Sequence, residues 1–509
     1  MTAPAPAAGG PDDLSALAKG GRTNIVGFIL RLAARLPFLF IAGRLYGAET
    51  VGRFALAVLV IELAALIATL GLKRGLAQAL ARTDRPHAHV VWDAMVLALA
   101  ASLIASAVLL AVPTLMFPNS DVRGLDRLLG VIVCAVACSD VSLAALAYRH
   151  NVQAAVTARA IVEPWTISIA AWALYYVEPE DGLIFAYVLS MVAALAASLV
   201  PFVRSYGLPH GWKPRIVELS GLARHNMPLA GADAIEWGTR NIDRFILGQV
   251  FPPAVVGIYY MAQQVASIPQ RLKTSFDPVL GPTIARALVA GDRPAIARAV
   301  RQVGFWIMSL QACALLMGGI PAEGVMGVVG PAFVAGAAAL VFLLLAEVLA
   351  SPGAVAEVGL VYIARHRNLL ISILLLGLQA ALTLTLLFAA RSQGLGIEYQ
   401  AAAPALALAI SVLLTSLVKC GLLGHMLGEA VFKLRPAWLG AVAAAGVVWA
   451  AFTALPHAYE WAELGIGVPA IFVTYFLVVG LFVLGPDDRA LFRKLPRAQA
   501  SDIAEGQAG

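Results

Sequence analysis

Charge is scarce in this chain: Asp, Glu, Lys and Arg make up 13% of its 509 residues, against about 25% in an ordinary soluble domain. Hydrophobic residues make up 60%, and a water-soluble fold has nowhere to bury that much apolar surface. The composition excludes a soluble enzyme and indicates a polytopic membrane protein. Cysteine is as sparse. Cys134, Cys138, Cys313 and Cys420 all lie in or beside apolar runs, with no CxxC pair, and the 8 histidines do not cluster. These absences argue against a disulfide framework and a structural metal site, and no metal or organic cofactor is expected. No charged segment leads into a short apolar core at the start of the chain, so residues 1–22, rich in Ala, Pro and Gly, read as a disordered cytoplasmic tail.

What is present is a series of apolar runs, each of the ~17–25 residues that cross a bilayer. Six run near 24–44, 53–72, 90–112, 128–147, 160–176 and 182–203. Six more run near 227–250, 254–280, 303–320, 332–350, 368–390 and 401–417, and a last pair covers 438–455 and 465–484. The expectation is an all-α protein of about fourteen transmembrane helices. Residues 23–204 form a first six-helix lobe, 205–225 a cytoplasmic linker, 226–420 a second lobe, 437–484 an added helix pair and 485–509 a cytoplasmic tail.

The net charge of +6 needs no nucleic acid to explain it, because Lys and Arg gather on the cytoplasmic side of membrane spans. Lys73, Arg74, Arg82 and Arg85, then Lys213, Arg215 and Arg224, then Arg489, Arg493, Lys494 and Arg497 all fall on one side of the fourteen-span plan. The alternate loops, such as Glu178-Pro179-Glu180-Asp181, are short and acidic or neutral. Both termini are therefore expected in the cytoplasm. The connector Asp292 to Gln302, with Arg293, Arg298 and Arg301 among apolar residues, reads as an amphipathic helix at the cytoplasmic surface that attracts anionic membrane lipids.

The chain also resembles itself. At an offset of 205 residues, Phe40-Ile41-Ala42-Gly43 through Val51-Gly52 to Ala57 falls on Phe245-Ile246-Leu247-Gly248 through Val256-Gly257 to Ala262, with six of eighteen positions identical, and Arg35 falls on Arg240. Six spans separate the copies. An even number returns the chain to the same side, so the lobes are parallel repeats, an architecture suited to alternating access.

An ionisable residue in mid-span is a functional candidate by default. The first span carries Arg31 and Arg35 one turn apart. The seventh carries Asp233, Glu236, Arg240, Asp243 and Arg244 along one broad stripe, which must line a wet or ion-paired interior. Glu62, Asp140, Glu163 and Glu347 are the other buried acids. Arg31, Arg35, Arg240 and Arg244 make a candidate cationic patch for a diphosphate, because guanidinium forks match phosphate oxygens. Glu62, Asp140, Asp233, Glu236 and Asp243 are candidate coupling acids or charge partners. Two uses stay open at this point: binding an anion, or carrying protons. Arg271 and Lys273, at the inner end of the eighth span, stand where an anion would arrive.

The run Arg240-Asn241-Ile242-Asp243-Arg244-Phe245-Ile246-Leu247-Gly248, followed by Val256-Gly257-Ile258-Tyr259-Tyr260-Met261-Ala262, resembles the polysaccharide-flippase branch of the multidrug/oligosaccharidyl-lipid/polysaccharide (MOP) exporter superfamily. Leu45-Tyr46-Gly47-Ala48-Glu49, Val51-Gly52-Arg53-Phe54 and Gly71-Leu72 are similar to the opening of the same family. The resemblance implies a non-enzymatic flippase for polyprenyl-diphosphate-linked oligosaccharides in a bacterial inner membrane, with polysaccharide polymerase and assembly proteins as partners. A proton- or sodium-coupled multidrug antiporter is one alternative. A membrane glycosyltransferase or polymerase is another, weakened by an outer loop, Pro113 to Arg127, that holds Asp121 and Asp126 but leaves little room for a catalytic site.

The charge alternation makes a topological prediction. A tag placed in Glu178–Asp181 is expected to react with an impermeant label from outside the inner membrane, and labelling only after permeabilisation contradicts the orientation.

Overall fold

The computed structural model describes residues 36–122, 126–209, 211–274, 277–453 and 463–485. Those residues are helical, with no strand among them, because in hydrocarbon a backbone can satisfy its own N–H and C=O groups within a helix. In chain order the helices are α1 (36–46), α2 (Gly47–Ala68), α3 (Leu72–Arg82), α4 (His87–Ala111), α5 (Leu128–Tyr148), α6 (Val152–Val156), α7 (Glu163–Tyr175) and α8 (Gly182–Tyr206). They continue as α9 (Ile216–Val250), α10 (Pro253–Thr274), α11 (Asp277–Val289), α12 (Arg293–Gly319), α13 (Ala322–Val329), α14 (Ala337–Ile363), α15 (Arg365–Ser392), α16 (Ile397–Leu427), α17 (Pro436–Thr453) and α18 (Val468–Val478).

Each of the fourteen expected spans falls on one of these helices, the first of them described from Leu36 onward. Among the described residues, nine helices are long and apolar enough to cross a membrane by length and composition alone. Helix α9 is not one of them, since its 35 residues carry the charged stripe. Two surface segments differ from expectation. The segment after span two is not a plain loop but the helix α3. The basic connector from Asp292 is not a separate amphipathic helix: the Asp292 side chain accepts from Ala295 N at 2.9 Å, capping α12, so the connector forms the first turns of the ninth span.

The residues pack into two compact units. One comprises the described residues up to Ile268 with Ala322–Leu343 and Leu370–Ser411, and the other Pro269–Pro321, Leu344–Leu369 and the described residues from Val412. In the first, Leu72, Leu76 and Leu80 recur every four residues and bury one face of α3 against Val91 and Ala94 of α4 and Val141 and Ala145 of α5. In the second, the added pair docks on α12. Phe305, Met308 and Ala312 meet Trp438, Ala441 and Tyr475, and the Tyr475 hydroxyl accepts from Trp438 Nε1 at 2.8 Å while donating to the Ser309 carbonyl at 2.9 Å.

The internal repeat is a physical contact as well as a sequence pattern. A Cβ added to Gly52 of α2 would stand 1.7 Å from the Pro253 carbonyl oxygen, and one added to Gly257 of α10 would stand 2.0 Å from the Ala48 carbonyl oxygen. Ala48 and Pro253, like Gly52 and Gly257, are related by the 205-residue offset. The two copies therefore touch through the same surface, as an isologous contact about a two-fold axis requires, and only glycine allows the approach.

This contact yields a stability prediction. Gly52→Ala and Gly257→Ala are expected to destabilise the protein by about 1–3 kcal/mol or more through overpacking. Gly231→Ala and Gly377→Ala, where a Cβ meets nothing within 4 Å, should be neutral or mildly stabilising. Thermal unfolding of the purified variants in detergent checks the ranking.

Candidate functional site

The site begins with two glycines. Helix α2 ends at Ala68, and Gly71 turns the chain with φ at +77° into α3. A Cβ at Gly71 would also meet the Asn226 carbonyl oxygen at 2.4 Å, and one at Gly75 would stand 1.6 Å from the Asn226 side-chain oxygen. Helix α3 thus lies directly on α9. Lys73 and Arg74, about 100° apart around the helix, are then aimed at different neighbours.

Arg74 turns to α9. Its Nε lies 2.7 Å from an Asp233 oxygen, and its Nη2 donates to Glu236 Oε2 at 2.5 Å. The other Glu236 oxygen accepts from Arg240 Nη2 at 2.9 Å, one turn along the same helix. Lys73 turns to α5, with its Nζ 3.2 Å from Asp140. Asp140 is also paired with Arg159, whose Nη1 donates to Glu163 at 2.8 Å. Arg159 sits on a π-helical turn, Thr157–Val162, between α6 and α7. Four cations and four carboxylates thus alternate through α3, α5, the α6–α7 segment and α9.

The two signs are not equally placed. The side chains of Asp233 and Asp140 are only 4% and 15% exposed, whereas Arg74 is 51% and Arg240 57% exposed. The Arg74 and Arg240 guanidinium groups therefore face outward over the buried Asp233, whereas Arg159 is no more exposed than its partner Glu163. Glu236, 44% exposed between Arg74 and Arg240, is a carboxylate held by two forks on the accessible side. Exposed ion pairs are worth only about 0–1 kcal/mol, so a better anion can take its place.

Other candidates lie elsewhere. Asp243 is fully buried, accepting from the Tyr259 hydroxyl and from Arg244 N at 2.8 Å. Arg244 is 5% exposed, donates to Asn241 Oδ1 at 3.1 Å, and lies over the Tyr260 ring at 5.2 Å. Both hold the α9–α10 packing rather than joining the Arg74 network. Glu62 is exposed on α2. Arg31 and Arg35 lie outside the described residues, as do the side chains of Arg271 and Lys273 on the helical α10.

Sequence reasoning missed Arg74, Lys73 and Arg159 as members of the site, since the first two were taken for topological charges. The signal was the Gly71–Gly75 spacing, a small residue every four positions, which marks close helix contact in membranes. A second ion pair was also missed: the buried Lys419 of α16 meets the more exposed Glu357 of α14 at 3.0 Å.

The loop between α4 and α5 is bound structurally. Arg53 donates to the fully buried Asp126 at 2.8 Å and to the Asp121 carbonyl at 3.0 Å. Asn119 Nδ2 donates to the Gly248 and Phe251 carbonyls at the end of α9, at 2.7 and 3.2 Å. Asp126, one of the two acids available to an outer catalytic site, is thus taken up in tying the loop down.

The sequence profile of a family described as polysaccharide biosynthesis protein matches residues 41–318. No curated protein matches the chain. Among solved structures, the chain is similar to the lipid II flippase MurJ in an inward closed conformation, with a TM-score of 0.69 and 10% identity, covering 92% of this chain and 100% of that one. It is also similar to an inward-facing multidrug resistance MATE family transporter of the MOP superfamily, with a TM-score of 0.62, 13% identity and coverage of 79% and 98%. A MOP superfamily transporter from Pyrococcus furiosus is similar at a TM-score of 0.51 and 15% identity, with coverage of 82% and 96%. These likenesses establish the fold: that of the MATE and MurJ transporters.

The burial pattern predicts a separation of roles within the network. Arg74→Ala leaves the Asp233 carboxylate buried without its guanidinium and should lower the unfolding temperature, and Asp233→Asn in the same chain should restore much of the loss. Arg240→Ala, removing an exposed pair, should change stability by less than about 0.5 kcal/mol. Equal losses from Arg74→Ala and Arg240→Ala in thermal unfolding would contradict the assignment.

Proposed function

Because the chain belongs to the polysaccharide biosynthesis protein family, we propose that it is a flippase. It carries a polyprenyl-diphosphate-linked oligosaccharide from the inner to the outer leaflet of a bacterial inner membrane by alternating access, for assembly of cell-surface polysaccharide. It does so without enzymatic chemistry, with both termini cytoplasmic and with polymerase and assembly proteins receiving the product.

One observation supports this reading above the others. The accessible Glu236 carboxylate sits between the forks of Arg74 and Arg240, the geometry in which a diphosphate would be held. A diphosphate brings more negative charge than the carboxylate it displaces, so further cations are required. Arg31 and Arg35 are the candidates on the first span, with Arg244 deeper and Arg271 and Lys273 at the inner mouth.

The same pair accounts for coupling between binding and movement. Arg74 belongs to the proposed lobe 23–204 and Glu236 to the proposed lobe 226–420, which share one compact unit in this structure, so on that division their bridge opens when the lobes rock. A diphosphate that replaces Glu236 on Arg74 lowers the barrier to that opening, which links substrate to conformational change. Asp140, Asp233, Glu62 and Asp243 are the candidate acids for an ion that drives the cycle.

Transport in proteoliposomes carrying a labelled polyprenyl-diphosphate sugar tests the proposal. Arg240→Gln, Arg31→Gln and Arg35→Gln should each reduce flipping by at least about tenfold, the loss expected for one charge-assisted bond, with protein level near normal. Lysine should rescue partly, because it cannot fork. Stable variants that still flip the sugar lipid overturn the site, and transport of cationic drugs in place of the sugar lipid overturns the function in favour of a multidrug antiporter.

A further inference from the structure

Within the first compact unit, the repeat extends to the segments that follow the third span of each copy. The segment after α4 reaches across to the second copy, where Asn119 Nδ2 donates to the Gly248 and Phe251 carbonyls at the end of α9. The segment after α12 reaches across to the first copy: Arg44 Nε donates to the Val328 carbonyl, in the last turn of α13, at 3.1 Å. Beside that bond, a Cβ added to Gly43 would stand 2.6 Å from the Val329 carbonyl oxygen. Gly43 and Gly248 are related by the 205-residue offset, so the two contacts are a symmetric pair about the axis on which Gly52 and Gly257 cross.

Each segment is also tied to its own copy, and again through equivalent positions. Arg53 of α2 holds the first one, donating to Asp126 and to the Asp121 carbonyl, with its guanidinium 5.5 Å from the centroid of the Phe117 ring. Ile258 of α10, the repeat mate of Arg53, packs on the second, where a Cβ added to Gly336 would stand 2.9 Å from Ile258 Cγ2. Met116 and Phe117 in one segment, and Met326 and Phe333 in the other, are fully buried. Both segments are therefore packed inserts and not free loops.

The two kinds of tie differ in strength. In the first copy, Asp126 is fully buried against Arg53, and parting such a pair leaves a charge without compensation. Between the copies, Asn119 and Arg44 are both exposed, and the carbonyls they meet stand at helix ends, where the helix supplies no internal partner. Water can take over donor and acceptor alike when they part, so each bond is worth only about two- to tenfold in an equilibrium constant. The ties that break when the copies separate are the weak ones. Glu236 and Gly248 stand about 18 Å apart along α9, so this closure is distinct from the Arg74–Glu236 bridge.

We propose that the two crossed segments are halves of one gate, which closes this end of the first unit through Asn119 and Arg44 and opens it by releasing both together. Because each segment is held to its own copy, a displacement of one copy strains both contacts at once. On the orientation proposed above, this is the outer end. The gate rests on the alternating-access reading and holds whatever the cargo is.

Amide hydrogen exchange of the full-length protein in lipid nanodiscs, read by mass spectrometry without substrate, tests the coupling. Arg44→Ala should speed exchange about two- to tenfold at residues 326–333, where its bond is lost, and also at 115–121 and 248–255, around the contact it does not touch. Asn119→Ala should do the reverse, and Arg44→Lys, which keeps a donor, should have a smaller effect at both. Faster exchange confined to the altered contact, or equally fast exchange in α17 of the other compact unit, would overturn the gate. A second arm joins Asn119→Cys to Gln249→Cys, next to Gly248, with a short thiol cross-linker. The link should slow exchange at 326–333 and stop flipping in proteoliposomes, and flipping at the rate of the unlinked protein would overturn the gate. Failure of the sugar-lipid proposal shows instead as no flipping by any form of the protein, with the exchange result unaffected.

Discussion

A charge on a membrane helix must find its counter-charge inside the protein, because a lipid bilayer offers neither water nor counter-ions at a tolerable free energy. The organisation of the first compact unit follows from that constraint. Asp140 and Asp233 are drawn inward, and Lys73 and Arg74 of α3 and Arg159 of the α6–α7 segment come to them. The arrangement leaves the more exposed Arg74 and Arg240 at the edge.

That network depends on close backbone approach. Gly71 and Gly75 let α3 lie on α9, and Gly52 and Gly257 let α2 and α10 cross at nearly touching carbonyls. Without a hydrophobic effect to press helices together in lipid, such contacts supply much of the association. The two contacts act at different levels: Gly52 and Gly257 join the repeat copies through a shared surface, and Gly71 and Gly75 set which charges can reach each other.

The added helix pair shows the same logic in the second unit. Tyr475 bridges Trp438 and the Ser309 carbonyl, so the pair is part of the helix packing around α12 and not a loose extension.

Membrane residence, the fourteen apolar segments and the 205-residue repeat were legible in the sequence, since hydropathy and periodicity are properties of a local stretch of chain. The charged stripe of α9 was legible for the same reason, and the pairing of Arg240 with Glu236 is a matter of four-residue spacing. The sequence did not tell apart the acids of that stripe: Asp233 answers to Arg74 across a helix contact, while Asp243 is enclosed with Tyr259. Only the tertiary structure decided these partners and the membership of Lys73, Arg74 and Arg159. Which side chains meet is set by the faces along which helices approach, and those faces were decided by glycines whose missing Cβ atoms carry no charge or hydropathy signal of their own.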